Sequence, residues 1–348
     1  MARFNDKKEP LDYGALVKDL KRNGPEKLYL LWGEEDYLLR EFVKQIRSAC
    51  LSEMSGDFDE KKLSGPIPDL GAVEDALDAM PFFGGRTYLE IQDADVNKWK
   101  DERLQKALCD IPDWCTAVLI LPGGQTPDGR LSFVKQLKDQ GKAVEFNSPD
   151  MSLIYNWIRR RVEAHGKNIG KEAMDRLTFL SGERMTGLIP EIEKICAHAS
   201  GDTVTAADVE AVAHHLPEAD TFAMAECLAR GDMDGACVLL SELLAGDAAP
   251  MEILGVIGWQ MRRLYAAKVA AGTRQGLTFA KEVLNTKSDY NVKKTTELAD
   301  RFSRASLAGN VRLCAECVMW TRESGSVMED VDALKELLIR FAMEARRA

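Results

Sequence analysis

No run of this 348-residue sequence is long and apolar enough to span a bilayer. The opening residues, Met1-Ala2-Arg3-Phe4-Asn5-Asp6-Lys7-Lys8, lack the apolar centre of a secretion signal, so a cytoplasmic protein is expected. Basic excess is missing as well: 46 basic residues face 56 acidic ones, a formal net charge of −10. A protein that coats DNA unaided is normally basic, so nucleic-acid contact must be local or shared with partners. The four histidines, His165, His198, His214 and His215, have no metal-ligand spacing. Neither a Gly-x-Ser-x-Gly elbow nor a His-Glu-x-x-His helix occurs. The eight cysteines are dispersed, as suits reduced thiols. Cys314-Ala315-Glu316-Cys317 has the spacing of half a zinc or redox site, but no second pair exists. In a helical stretch it reads as two small buried residues on one face.

What is present is ample core material: 45% of the residues are hydrophobic, over a length that predicts two or three domains. Up to about residue 148 the pattern alternates strand and helix. Strands are expected at Leu28–Leu31, Thr87–Ile91, Ala117–Leu121 and Ala143–Phe146. A helix carrying Tyr37, Leu38, Phe42 and Ile46 follows the first, and one with Leu131, Val134, Leu137 and Lys138 precedes the last. Such alternation predicts a mostly parallel sheet with helices on its faces. Asn147-Ser148-Pro149 breaks the pattern and predicts a boundary. From Met151 onward only helices are expected: one with Trp157, Ile158 and Val162, another with Leu188, Ile192 and Ile195. Thr205-Ala206-Ala207-Asp208 reads as a helix start, a variant of the capping box. Leu216-Pro217 predicts a second boundary. Beyond it, Gly231-Asp232 and Gly246-Asp247 each pair a glycine stop with an acidic cap. Apolar stripes at Leu239, Leu240, Leu243 and Leu244, at Ile253, Ile257, Met261 and Leu264, and at Leu334, Leu337, Leu338 and Phe341 must pack together. They predict an all-helical domain or an assembly surface.

Two places bear on function. A strand leading into a helix at Leu28–Ile46 is where a nucleotide-binding protein carries its phosphate loop, which needs free glycine amides, a lysine and a hydroxyl. Here a lone Gly33 is followed by Glu34, Glu35 and Asp36. Three carboxylates repel a triphosphate, whereas acids at a helix start are favoured by its dipole. The second place is Met80-Pro81-Phe82-Phe83-Gly84-Gly85-Arg86. Leu70, Val73, Leu77 and Met80 recur at helical spacing, Pro81 ends that helix, and the glycines release the chain into the next strand. Phe82 and Phe83 therefore stand at a helix-to-strand corner, either tucked under the sheet edge as core or displayed to a partner. Arg159-Arg160-Arg161 and Arg262-Arg263 beside Tyr265 read as phosphate contacts or as solvated helix faces.

In order, the pieces Leu28-Tyr29-Leu30-Leu31-Trp32-Gly33-Glu34-Glu35-Asp36-Tyr37-Leu38, Met80-Pro81-Phe82-Phe83-Gly84-Gly85-Arg86, Glu191-Ile192-Glu193-Lys194-Ile195 and the two Gly-Asp pairs resemble the delta subunit of bacterial DNA polymerase III. The resemblance spans almost the whole chain; Pro190, where that family often has asparagine, and Ser324-Gly325-Ser326 depart from it. It implies an α/β domain of the clamp-loader ATPase type without a working nucleotide site over residues 1–148, a small helical lid over 149–215, and an all-α collar for oligomerisation over 216–348. It implies no cofactor, no metal and no activity of its own within the polymerase III holoenzyme. The implied role is binding the sliding clamp (the beta subunit) through Met80, Pro81, Phe82 and Phe83 and helping to open it. The implied partners are the other loader subunits (gamma/tau and delta prime) and primed DNA, with no membrane. Two other classes fit the residues alone: a helical adaptor that does not bind a clamp, and a phosphoryl-transfer enzyme with an atypical nucleotide site.

Overall fold

The computed structural model describes residues 12–51, 58–82, 85–246, 248–272, 276–322 and 329–347. Its chain forms two compact units, one running through Asp150 and including Arg184–Thr186, the other made of the remainder.

In the first unit, α1 (Tyr13–Asn23), β1 (Leu28–Gly33), α2 (Asp36–Cys50), β2 (Glu60–Ser64), α3 (Leu70–Asp78), β3 (Thr87–Gln92), α4 (Glu102–Cys109), β4 (Cys115–Ile120), α5 (Ser132–Gln140) and β5 (Lys142–Phe146) alternate along the chain. The five strands are all parallel, in the order β2-β3-β4-β1-β5. Because strand side chains alternate between faces, each central strand supplies two cores. Leu28, Leu30, Leu89, Ile91 and Leu119 pack with Val73, Leu104 and Val134 of α3, α4 and α5. From the opposite face of the sheet, Tyr29 and Phe146 meet Phe42 of α2 at ring-centroid distances of 5.8 and 5.9 Å.

The strands expected from sequence are all present. β2 is an addition: it is an edge strand with three charged residues, in which Glu60 and Leu63 are half-buried and the others exposed. The helix expected to reach Met80 is shorter. α3 stops at Asp78, and Ala79 already has extended angles (φ −62°, ψ 123°), so Met80 leaves the apolar stripe and points into solvent. Leu131 likewise caps α5 instead of joining its buried face, where Phe133 stands.

The second unit contains α6 (Met151–Ala164), β6 (Asn168–Ile169), α7 (Lys171–Ser181), α8 (Met185–His198, its first two residues grouped with the first unit), β7 (Thr203–Val204), α9 (Ala206–Val212), α10 (Pro217–Arg230), α11 (Met233–Ala245), α12 (Pro250–Ala271), α13 (Gly276–Leu284), α14 (Asp289–Asp300), α15 (Arg304–Arg322) and α16 (Asp330–Arg347). The expectation of helices alone is corrected by β6 and β7, which pair in parallel over two residues each, too short to leave a period in the sequence. The capping box at α9 is complete: the Asp208 amide donates to Thr205 Oγ1 at 3.2 Å and the Thr205 amide to Asp208 Oδ2 at 2.8 Å. Gly231 ends α10 in the left-handed region (φ 76°), and Asp232 caps α11 through the Gly235 amide at 2.9 Å. Gly246 follows α11 with extended angles, and Asp247 lies outside the described residues. All the residues of the α12 and α16 stripes are buried in one cluster with Leu240 and Leu243. The thiols of Cys314 and Cys317 are in that cluster too, pushed up to about 12 and about 11 by burial.

Candidate functional site

The strand-to-helix junction after β1 is only two residues long, Glu34 and Glu35. Gly33 has φ +137°, and its Cα lies so close to β5 that a Cβ would stand 2.2 Å from the Phe146 carbonyl oxygen. The Glu35 amide donates to that same oxygen at 2.9 Å. The one glycine of the loop is thus used to let β1 and β5 meet, and the amide beyond it is turned into the sheet. Burial pushes the Glu35 carboxyl above the usual carboxylate range, against a hydrogen bond from the Tyr37 amide. Asp36, in the first turn of α2, is held by Arg40 at 2.6 Å. A cavity of about 750 Å³ opens at the carboxyl ends of the strands, where a doubly wound sheet places its ligand. Of the five cations on its wall, Arg40, Lys44, Arg47 and Lys62 are each held by a carboxylate, Asp36, Glu41, Glu60 and Glu60 respectively, at 2.6 to 2.9 Å, and the fifth, Arg184, acts on the Glu35 carboxyl. The helix N-terminus is therefore faced by its own acids, and the loop offers no glycine-rich cradle, lysine or hydroxyl.

The corner before β3 lies at the opposite, amino-terminal edge of the same sheet. Phe82 is 77% exposed and Met80 72%, with Pro81 half-buried between them. Of the two readings of Phe82, the core reading is excluded. Phe83 and Gly84 lie outside the described residues. Both flanks of the corner are tied down. On the far side Arg86 donates from Nε to Thr116 Oγ1 at 2.9 Å and from its guanidinium to the Cys115 carbonyl at 2.7 Å, locking the start of β3 to β4. On the near side the Phe82 amide donates to Asp59 Oδ1 at 2.8 Å. Phe58, 82% exposed, stacks on Phe82 with centroids 6.1 Å apart and planes at 28°. Sequence reasoning missed Phe58 and Asp59; the available signal was a lone aromatic inside Gly56-Asp57-Phe58-Asp59-Glu60.

Arg159 and Arg160 are exposed on α6 and Arg161 lies over the Trp157 ring at 5.0 Å; Arg263 covers Trp259 at 4.9 Å. Among the described residues no group of three or more His, Cys, Asp or Glu side chains could hold a metal ion, and no helix is long and apolar enough to cross a membrane.

A parallel five-stranded sheet covered by helices on both faces, ahead of a helical second unit, defines the class: an α/β domain followed by helices, the fold of clamp loader subunits. Comparison with known proteins narrows the class. The family model described as DNA polymerase III, delta subunit, matches residues 29–147, and the model for the C-terminal domain of the same family matches residues 218–322. The chain belongs to the DNA polymerase III delta subunit family. It is 24% identical over 301 residues to DNA polymerase III subunit delta of Bacillus subtilis, covering 83% of this chain and 86% of that one. A probable DNA polymerase III subunit delta of Aquifex aeolicus is 23% identical over 278 residues, 76% of this chain and 77% of its own length. The solved Bacillus subtilis DNA clamp loader delta protein shares the fold with a TM-score of 0.57 at 20% identity, over 95% of this chain and 99% of that one.

Proposed function

We propose that this chain is a non-catalytic member of the clamp loader that grips the sliding clamp with the Met80–Phe83 corner and helps to open the ring for loading onto primed DNA. It works in the cytoplasm beside gamma/tau and delta prime subunits, which hydrolyse ATP for it or complete the ring. Residues 1–148 act as the clamp-binding domain, 149–215 as the lid and 216–348 as the collar through which the loader assembles.

The observation that carries this reading is the display of Phe82 and Met80 on a corner fixed from both sides, in a chain of the delta family. Large apolar side chains held away from the core have little to do within the protein itself, and aromatic residues in a partner's pocket dominate binding. Replacing Phe82 and Phe83 together by alanine is expected to weaken clamp binding by a factor of roughly thirty or more, the effect of losing about 2 kcal/mol at a hot spot. Calorimetry or surface plasmon resonance with the purified clamp measures this. The melting temperature of the single Phe82→Ala chain stays near that of the parent, since an exposed side chain is removed. Wild-type affinity in the double variant overturns the reading and leaves the adaptor class. The loop after Gly33 supports absence of nucleotide chemistry; magnesium-dependent, stoichiometric ATP binding at micromolar concentration would instead favour the enzyme class.

A further inference from the structure

We infer that Phe58 is a second aromatic anchor for the sliding clamp, and that Asp59 is the positioning residue that holds the corner in its displayed shape. This rests on the proposal that the Met80–Phe83 corner binds the clamp, and extends it to a segment more than twenty residues earlier in the sequence.

Among the described residues, Phe58 (82%), Phe82 (77%) and Met80 (72%) are the three most exposed large apolar side chains, and the next, Ile67, is at 56%. All three belong to one edge of the first unit. Phe58 lies two residues before β2 and Phe82 five before β3, and these strands are parallel neighbours with Glu60 opposite Tyr88. Parallel pairing brings both approaches to the same amino-terminal edge, so two rings far apart in sequence can stack. Stacking hides little of either: each stays more than three-quarters exposed. Single exposed apolar residues need no explanation, but two stacked rings, with Met80 exposed two residues before Phe82, present apolar surface that a pocket on a partner would bury.

Asp59 supplies the independent observation. Its side chain is 3% exposed, and its Oδ1 accepts from the Phe82 amide at 2.8 Å while its backbone carbonyl accepts from the Tyr88 amide, also at 2.8 Å. Its other oxygen, Oδ2, is buried and has no hydrogen-bond partner among the described residues. A buried carboxylate with so few partners is an unfavourable way to stabilise a surface turn. What the arrangement does secure is a fixed relation between the segment that carries Phe58 and the backbone of Phe82. A corner fixed before encounter loses less freedom on binding, and this strengthens association without adding a contact.

The test uses the full chain and the purified clamp, with affinity and melting temperature measured for Phe58→Ala, Phe82→Ala, their double variant, Asp59→Ala and Asp59→Asn. Phe58→Ala is expected to weaken binding roughly tenfold, as loss of an aromatic anchor does. The double variant should lose less than the product of the two single losses, because stacked partners are coupled. Asp59→Ala is expected to weaken binding several-fold at an unchanged melting temperature. Asp59→Asn should stay within about twofold of the parent, since its amide oxygen can still accept from Phe82. If Phe82→Ala weakens binding and Phe58→Ala does not, the second anchor is overturned while the clamp reading stands. If both bind like the parent, the clamp reading itself fails. Equal losses in Asp59→Ala and Asp59→Asn, no loss in Asp59→Ala, or a loss that tracks a fall in melting temperature, each overturn the positioning role.

Discussion

Gly33 offers the sharpest check on how the nucleotide loop has been put to another use. Alanine there must adopt φ near +137°, where L residues rarely sit, and its Cβ would stand 2.2, 2.5 and 2.6 Å from the carbonyl oxygen, carbonyl carbon and nitrogen of Phe146. These are backbone atoms and cannot rotate away, so β1 and β5 must separate at their carboxyl ends, where Gly33 pairs with Phe146 and Glu35 donates to it. Backbone strain alone is about 1–3 kcal/mol, and loss of the local pairing raises the expected cost of Gly33→Ala to about 3 kcal/mol or more. Gly231→Ala is the control: φ is +76°, nothing lies within 4 Å of its Cβ, and only the left-handed conformation, about 1 kcal/mol, is lost. In urea unfolding followed by circular dichroism, a loss of about 3 kcal/mol moves the midpoint by roughly 1–2 M. Hydrogen exchange in β1 and β5 should rise with it. The corner proposed to bind the clamp is at the other end of the sheet, so folded Gly33→Ala protein is expected to keep its clamp affinity. Equal costs for the two substitutions, or a Gly33→Ala midpoint close to that of the parent, would refute this account of the loop.

Arg47 holds Glu60 with two hydrogen bonds of 2.8 and 2.6 Å, and with help from Lys62 keeps its carboxyl at about 2. A carboxylate depressed in the folded state contributes stability above its unfolded value near 4.3, a contribution lost as pH falls toward about 2. The stability gap between the parent and Arg47→Met, from urea unfolding, should therefore be wide at about pH 7 and narrow at about pH 2.5; an equal gap at both would count against the pairing. Among the cysteines, Cys237 is exposed while Cys50, Cys314 and Cys317 are buried, with thiols pushed up to about 11, about 12 and about 11. A thiol reagent at about pH 8 should show a fast phase that Cys237→Ser abolishes, and a fast phase that survives the substitution refutes the assignment.

The parts legible in the sequence are those whose signal is local. β1 and β4, in the middle of the sheet, are short apolar runs because both their faces are covered, and the α12 and α16 stripes are read directly from helical spacing. The acid-rich junction after Gly33 is legible too, since a phosphate loop is defined by neighbouring residues. What escapes is decided by partners distant in sequence. β2 carries three charged residues and becomes a strand by pairing with β3, and β6 and β7 exist only through each other. The corner shows the same division. Pro81 and the glycines announce a turn, but whether Phe82 goes in or out is not a local property, because phenylalanine suits either environment. The outcome turns on Asp59, 23 residues upstream, whose carboxylate captures the Phe82 amide, and on Arg86, whose guanidinium reaches β4. The backbone is held on both sides of the corner, and the ring lies outside, stacked on Phe58. The residue types at the corner are thus readable in advance, while their orientation is set by side chains brought together only when the parallel sheet closes.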